Sequence, residues 1–232
     1  MATPTLLKVT NYKSSPVEVP LRAGIDGALA NQDWIDALIA RGYGWHVSVG
    51  TFTTPVLGGG AGTALLGNEP ELVIDIPAGK TLVPLRFEIS LETPLIAADD
   101  NEVESLIAVD QGAISDANAG NGTVELQWNM RTGAAGLAAG GGVNVVSAIT
   151  SNLSGTPALD LELSHKTQVA DVQGTAANAL WGDFMHVYEP KWPPLITGLA
   201  TLVVYFGGTV ATSGYISADY LVFDTAKIDD FT

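Results

Sequence analysis

Leu85-Arg86-Phe87-Glu88-Ile89-Ser90-Leu91-Glu92 is the stretch whose reading decides the fold. Leu85, Phe87, Ile89 and Leu91 alternate with Arg86, Glu88, Ser90 and Glu92. Side chains along a strand point to opposite faces in turn, so this order predicts a half-buried antiparallel strand, apolar inside and polar outside. Three other stretches repeat the pattern. Trp45, Val47 and Val49 alternate with His46 and Ser48; Val124, Leu126, Trp128 and Met130 with Thr123, Glu125, Gln127 and Asn129; Leu159, Leu161 and Leu163 with Asp160, Glu162 and Ser164. In each, the apolar set is expected to face the core. The runs Leu72–Ile76, Leu106–Val109, Val143–Ile149, Leu199–Phe206 and Tyr215–Phe223 are apolar almost throughout and read as strands buried on both faces or lying at an interface. Turn clusters such as Gly58-Gly59-Gly60, Pro77-Ala78-Gly79, Asn118–Gly122 and Gly207-Gly208 separate them. Roughly ten to twelve strands at this spacing predict an all-β antiparallel sandwich, with residues 1–232 as one domain.

One segment departs from period two. Asn31–Arg41 sets Trp34, Ile35, Leu38 and Ile39 at helical spacing, with Asn31 as N-cap and Arg41-Gly42 as the stop. The expectation is one short helix near residues 31–41 and no βαβ rhythm. Gly133–Gly142 is locally low in complexity and reads as a mobile loop or a place where backbone approaches closely.

Composition narrows the function. The chain has 232 residues, 47% of them hydrophobic and 15% charged, enough to fill a core and to exclude wholesale disorder. No cysteine is present, which excludes disulfide scaffolds, thiol catalysis and Cys-ligated metals. Ten Lys and Arg against 25 Asp and Glu give a net charge of −15, which repels phosphate backbones, so no nucleic-acid partner is expected. The uncharged stretches Thr132–Leu159 and Trp192–Ala218 are too rich in Gly, Pro, Ser and Thr to read as membrane spans. Met1–Lys8 does not read as a secretory signal. These features predict a chain made and used in the cytoplasm of its producer, or released by lysis.

Chemistry-bearing motifs are scarce. Gly79-Lys80-Thr81 invites a phosphate-loop reading, but that motif needs a glycine where Ile74 stands, and a hairpin turn accounts for the residues. No G-x-S-x-G occurs. His46, His165 and His186 lie in separate strands without H-x-H spacing and read as surface or interface imidazoles. Asp99, Asp100, Asn101, Glu102 and Glu104 form the densest carboxylate cluster; they are the weak calcium candidates, although the order of an EF-hand loop is missing. Glu88 and Glu92 share a strand face, as a glycosidase pair would, but alternating charges on a solvated strand look the same. Trp45 and Trp128 fall on apolar faces and read as core, whereas Trp181 and Trp192 flank a loop-like region suited to ligand or subunit contacts. No catalytic residue, resident metal or cofactor is expected.

A short helix, a Trp-containing strand, a Gly-rich loop at Gly58–Gly62, then Pro70–Gly79 and the strand Leu82–Glu92 follow in order. Thr201–Phe206, Gly207-Gly208 and Tyr215–Phe223 close the chain. This order resembles the jelly-roll virion proteins of bacteriophages, which serve as capsid or head-decoration subunits. The resemblance implies a jelly-roll β-sandwich, a non-enzymatic decoration (cement) subunit on the capsid surface, and assembly as a homotrimer with other capsid proteins as partners. It also implies no membrane partner. The variant is a jelly-roll major capsid protein. The −15 charge suits the outer surface of a shell, and the apolar stretch Leu195–Tyr205 is expected at a subunit interface. Trp34, Leu38, Trp181, Trp192 and Leu195 are the interface candidates. The competing class is a carbohydrate-binding β-sandwich on a tail or cell surface, with exposed aromatics beside acidic or amide groups.

Overall fold

Alternating and two-sided apolar runs both become strands, and the helical run becomes a helix. The computed structural model describes residues 6–9, 17–20, 34–51, 53–58, 65–92, 101–111, 122–131, 136–149, 153, 157–170, 184–208 and 212–230. The chain divides into two units, residues 1–37 and 38–232. In the first, β1 (Leu6–Val9) pairs antiparallel with β2 (Val17–Pro20), Leu6 opposite Pro20. Helix α1 covers Trp34–Ala40 and ends as expected: Gly42 takes φ +88°, and the Gly42 and Tyr43 amides donate to the Ile39 and Leu38 carbonyls. The expected cap Asn31 lies outside the described residues.

The second unit carries β3 (Gly44–Val49), β4 (Val56–Leu57), β5 (Leu72–Ile76), β6 (Lys80–Leu91), β7 (Asn101–Asp110), β8 (Thr123–Val124), β9 (Trp128–Asn129), β10 (Asn144–Ser147), β11 (Leu161–Ala170), β12 (Met185–Tyr188), β13 (Ile196–Thr197), β14 (Ala200–Gly208) and β15 (Ser213–Asp224). They form two antiparallel sheets. Sheet one runs β11-β7-β14-β5-β10-β8, and sheet two runs β12-β6-β15-β3-β9, with β13 on β6 and β4 on β15. The pairing is nested. The outermost strands in sequence, β3 and β15, pair in sheet two; β5 and β14 pair in sheet one; β6 and β12 in sheet two; β7 and β11 in sheet one. A long two-stranded ribbon, folded back at the β7–β11 connection and rolled so that successive rungs fall on alternate sheets, gives this order. It is the jelly-roll topology, and the unit that carries it is residues 38–232. The connection itself supplies β8, β9 and β10. Its base is held by the Ala158 amide on Asp110 Oδ2 and the Gln111 amide on Asp160 Oδ2.

Between the sheets lies a core of Val47, Val49, Leu72, Ile74, Phe87, Ile89, Ile107, Val109, Val145, Leu202, Val204, Phe206, Ile216 and Tyr220 among others. Sheet one is also covered on its outer face, where Val73, Ala108, Val146, Val203 and Tyr205 pack with Ile149 and Leu153, and Leu65 and Leu159 lie against them. That two-sided burial explains the largely apolar stretches within β5, β7, β10 and β14. Among the described residues, sheet two is covered outside where Leu38 and Ile39 of the helix meet Val83, Leu85, Leu221 and Phe223.

Five expectations change. Leu85 leaves the inter-sheet core, because a bulge between Asp219 and Tyr220 in the β15–β6 register skips it and reverses the phase of β6. Leu161 is exposed, because a second bulge between Glu162 and Ser164 reverses β11. Tyr215–Phe223 is buried on both faces only from Tyr220 onward; Tyr215, Ser217 and Asp219 face outward. Of the stretch Leu195–Tyr205, Ile196 and Ala200–Tyr205 are buried within the chain itself, leaving Leu195, Thr197 and Leu199 exposed. The Gly79 turn, at φ +81° with the Lys80 amide on Pro77 O, is no hairpin within one sheet but the corner carrying the chain from β5 in sheet one to β6 in sheet two.

Of the glycine-rich stretch, Gly140–Gly142 is a close approach of backbone to side chain. A Cβ on Gly140 would lie 2.5 Å from Trp45 Cε3, and one on Gly141 would lie 2.8 Å from Val222 Cβ. Gly140→Ala must therefore displace the buried indole, and overpacking of this kind costs about 1–3 kcal/mol. Thermal unfolding followed by circular dichroism is expected to show a melting temperature lower by about 2–10 °C, whereas Gly79→Ala, with open space around its Cβ, loses only the cost of its positive φ.

Candidate functional site

The β7–β11 connection closes one edge of the sandwich. β8 and β10 extend sheet one beyond β5, β9 extends sheet two beyond β3, and residues 123–130 cross from one sheet to the other. At the crossing, Gln127 is fully buried and points between the sheets. Its Oε1 accepts from the Tyr220 hydroxyl at 2.7 Å, and its Nε2 donates to Val143 O at 2.9 Å and Ala138 O at 3.3 Å. The Tyr220 ring is wholly buried, and burial drives its pKa far above the usual tyrosine value, so it stays a neutral donor. With Gln127 inward, period two sends its neighbours out. Val124, Leu126, Trp128 and Met130 are 36%, 50%, 43% and 39% exposed. The expected phase of this strand is thus inverted, and Trp128 is not core. Trp45 is, at 8% exposed.

The outer face of sheet two is polar away from the helix. Adjacent strands bring Ser48, Ser217 and Glu88 into one row and His46, Asp219 and Arg86 into the next. His46 bridges Asp219 through Nδ1 at 2.7 Å and Ser48 through Nε2 at 2.8 Å. Arg86 holds Glu88 at 2.5 Å and lies 3.8 Å from Glu189. Glu88 and Glu92, the conceivable glycosidase pair, are therefore separately engaged: Glu88 by Arg86, and Glu92 by Tyr215, whose pKa is raised by burial and by that carboxylate.

At the opposite edge of the sandwich, His186 of β12 is buried, contrary to the surface reading. Its Nδ1 lies 2.6 Å from Ser105 Oγ on β7 and its Nε2 2.8 Å from Ser164 Oγ on β11, so one ring ties both sheets together. A neutral imidazole satisfies this arrangement by donating to one serine and accepting from the other. Burial lowers its pKa from the ordinary 6.5, with Lys166 and His165 adding positive charge nearby. Among the described residues no carboxylate bonds this ring, so the orienting third member of a hydrolase triad is not supplied.

The remaining candidates are scattered. Asp99, Asp100 and Trp181 lie outside the described residues, as does the side chain of Asn101. Glu102 is exposed, and Glu104 lies 3.4 Å from His165 Nε2. Among the described residues no group of three or more His, Cys, Asp or Glu side chains converges to hold a metal, and no helix is long and apolar enough to cross a membrane. Trp34, Trp192 and Leu195 are exposed, Trp192 at 82%. Leu38 is buried under sheet two, so its side chain serves the fold rather than an interface. Sequence reasoning missed Gln127 and His186 because each falls on the polar phase of its stretch or beside apolar neighbours that claim the core, and the tyrosine and serines they bond lie far away in sequence. Compared with known families, with characterised proteins and with solved structures, the chain matches none.

The His186 clamp carries a pH signature. The folded pKa is lowered, so the unfolded chain takes up its proton first as pH falls through 6.5; stability is full above that value and declines below it. Urea unfolding at pH 7.5 and pH 5 is expected to show a lower midpoint at pH 5, and the gap between the two is expected to narrow in His186→Gln, whose carboxylates titrate as before.

Proposed function

We propose that this chain is a non-enzymatic structural subunit of a virus particle, a jelly-roll capsid decoration protein that assembles as a trimer on a phage head, with a jelly-roll major capsid protein as the close variant. The observation that carries the reading is the apolar stripe Val124, Leu126, Trp128 and Met130, turned to solvent on a connection almost free of charge. Residues 111–159 hold Asp116, Glu125 and Arg131 as their only charged side chains, a net −1 of the chain's −15. Two copies of so acidic a chain repel one another over most of their surface, and this edge is where they approach without that cost. The occupant of the stripe is accordingly a second copy of the chain. Large exposed apolar side chains along one edge mark association surfaces in soluble proteins. The nested eight-strand roll supports the same reading, since viral shells use it widely, although lectins and cupins share it. The acidic surface suits the outside of a particle, away from packaged nucleic acid.

Light scattering coupled to size exclusion is expected to give about 72 kDa, three times 24.1 kDa, at low and high salt. Trp128→Lys with Leu126→Glu is expected to give 24.1 kDa with an unchanged circular dichroism spectrum. Antibody against the chain, applied to particles from its source, is expected to decorate their surface. A wild-type monomer at both salts overturns the preformed trimer, and unlabelled particles overturn the virion role.

A further inference from the structure

The outer face of sheet two contains a groove of about 480 Å³ rich in hydroxyl groups. Five side chains in it carry hydroxyls: Ser48, Thr51, Ser90, Tyr215 and Ser217. One carboxylate, Glu88, joins them, held in place by the Arg86 bond to its Oε2. The Tyr215 ring is seated over Gly50, where a Cβ would fall 2.7 Å from its Cδ1, so only glycine lets the ring lie down on the strand end. Gly50 and Thr51 also line a second groove, of about 410 Å³, in which Thr54, Thr123 and Ser147 surround Glu125. The Ser147 hydroxyl donates to Glu125 Oε1. The two grooves share Gly50 and Thr51, and each sets several hydroxyls beside one carboxylate, the second also bordered by Pro55, Val56, Leu57 and Ala148.

We propose that these joined grooves bind a neutral oligosaccharide, with Tyr215 as the stacking platform and Glu88 and Glu125 as the acceptors in two neighbouring subsites. Vicinal hydroxyls of a sugar donate to a carboxylate and both donate to and accept from serine and threonine, while the apolar face of the ring packs on an aromatic side chain. Each groove lies within the size range of small-ligand sites. Charge selects the neutral class. Among the described residues neither groove has a cationic lining side chain; the nearby Arg86 is engaged by Glu88 and Glu189, and His46 by Asp219. Phosphates, sialylated glycans and uronates meet carboxylates without a compensating cation. The Glu88 groove lies on the sheet face away from the Trp128 edge, so binding there is separable from assembly, whereas Thr123 and Glu125 of the second groove belong to the crossing segment that carries the apolar stripe.

The test is a glycan array probed with the full chain, followed by amide chemical-shift titration with the best neutral oligosaccharide and with its uronate counterpart. Saturable binding at millimolar strength or tighter is expected for the neutral sugar, with shifts concentrated at Ser48–Thr51, Glu88–Ser90 and Tyr215–Ser217. Tyr215→Ala is expected to weaken it at least tenfold and Glu88→Gln several-fold. Ser217→Trp, an outward-facing position whose enlargement fills the groove, is expected to abolish it with the trimer mass unchanged, and it decides the matter if Tyr215→Ala fails to fold. No saturable binding, shifts centred elsewhere, equal binding by Ser217→Trp, or preference for the acidic sugar overturns the proposal.

Discussion

The hydrogen bond from Tyr220 to Gln127 fixes more of this molecule than its size suggests. Tyr220 belongs to β15, which lies between β6 and β3 at the centre of sheet two, and its hydroxyl ends deep between the sheets, away from solvent. A buried hydroxyl left without a partner costs about 1–3 kcal/mol. Gln127 supplies the acceptor and uses its own amide hydrogens on Val143 and Ala138, so one side chain joins sheet two to both arms of the β7–β11 connection. Once Gln127 faces inward, the pleat gives the other residues of the crossing segment no choice. The apolar edge is thus produced by a polar requirement of the core.

The two broad faces of the sandwich have different fates for a similar reason. Sheet one is roofed by loops: the Tyr205 hydroxyl donates to Gly67 O, and Ile149, Leu153 and Leu159 lie over Val73, Ala108 and Val203. Among the described residues sheet two has no such roof beyond the helix, and its outward rows are polar and internally paired, His46 with Asp219 and Arg86 with Glu88. Paired charges of this kind add little to stability at a surface. They do hold side chains in fixed places, which a face that meets ligands requires.

The fold class was legible in the sequence because period two survives over most of β3 and β6, and because two-sided burial leaves largely apolar stretches in β5 and β14. The helix was legible through its 3.6-residue spacing and the Gly42 stop. Phase was legible only where no bulge or cross-chain bond intervened. The bulges beside Leu85 and Leu163 reverse their strands without a marker residue, and nothing local to Gln127 announces that a tyrosine 93 positions away needs it. His186 was misplaced for the same cause: its burial depends on Ser105 and Ser164 arriving from two other strands. Turn residues showed where the chain bends but not that the bend at Gly79 passes between sheets.

Nested pairing also sets the order in which the molecule can be completed during synthesis. The central strand of sheet two is β15, near the carboxyl end, and it fills the gap between β6 and β3. Until it emerges from the ribosome, β6 and β3 each keep an open backbone edge, and the inner faces of Phe87, Ile89, Val47 and Val49 lack Ile216, Ala218 and Tyr220. Contacts between such distant parts of a chain form slowly, and open edges recruit other strands meanwhile. A nascent chain of this design is a half-built roll whose facing β6 and β3 edges stay open until β15 slides between them.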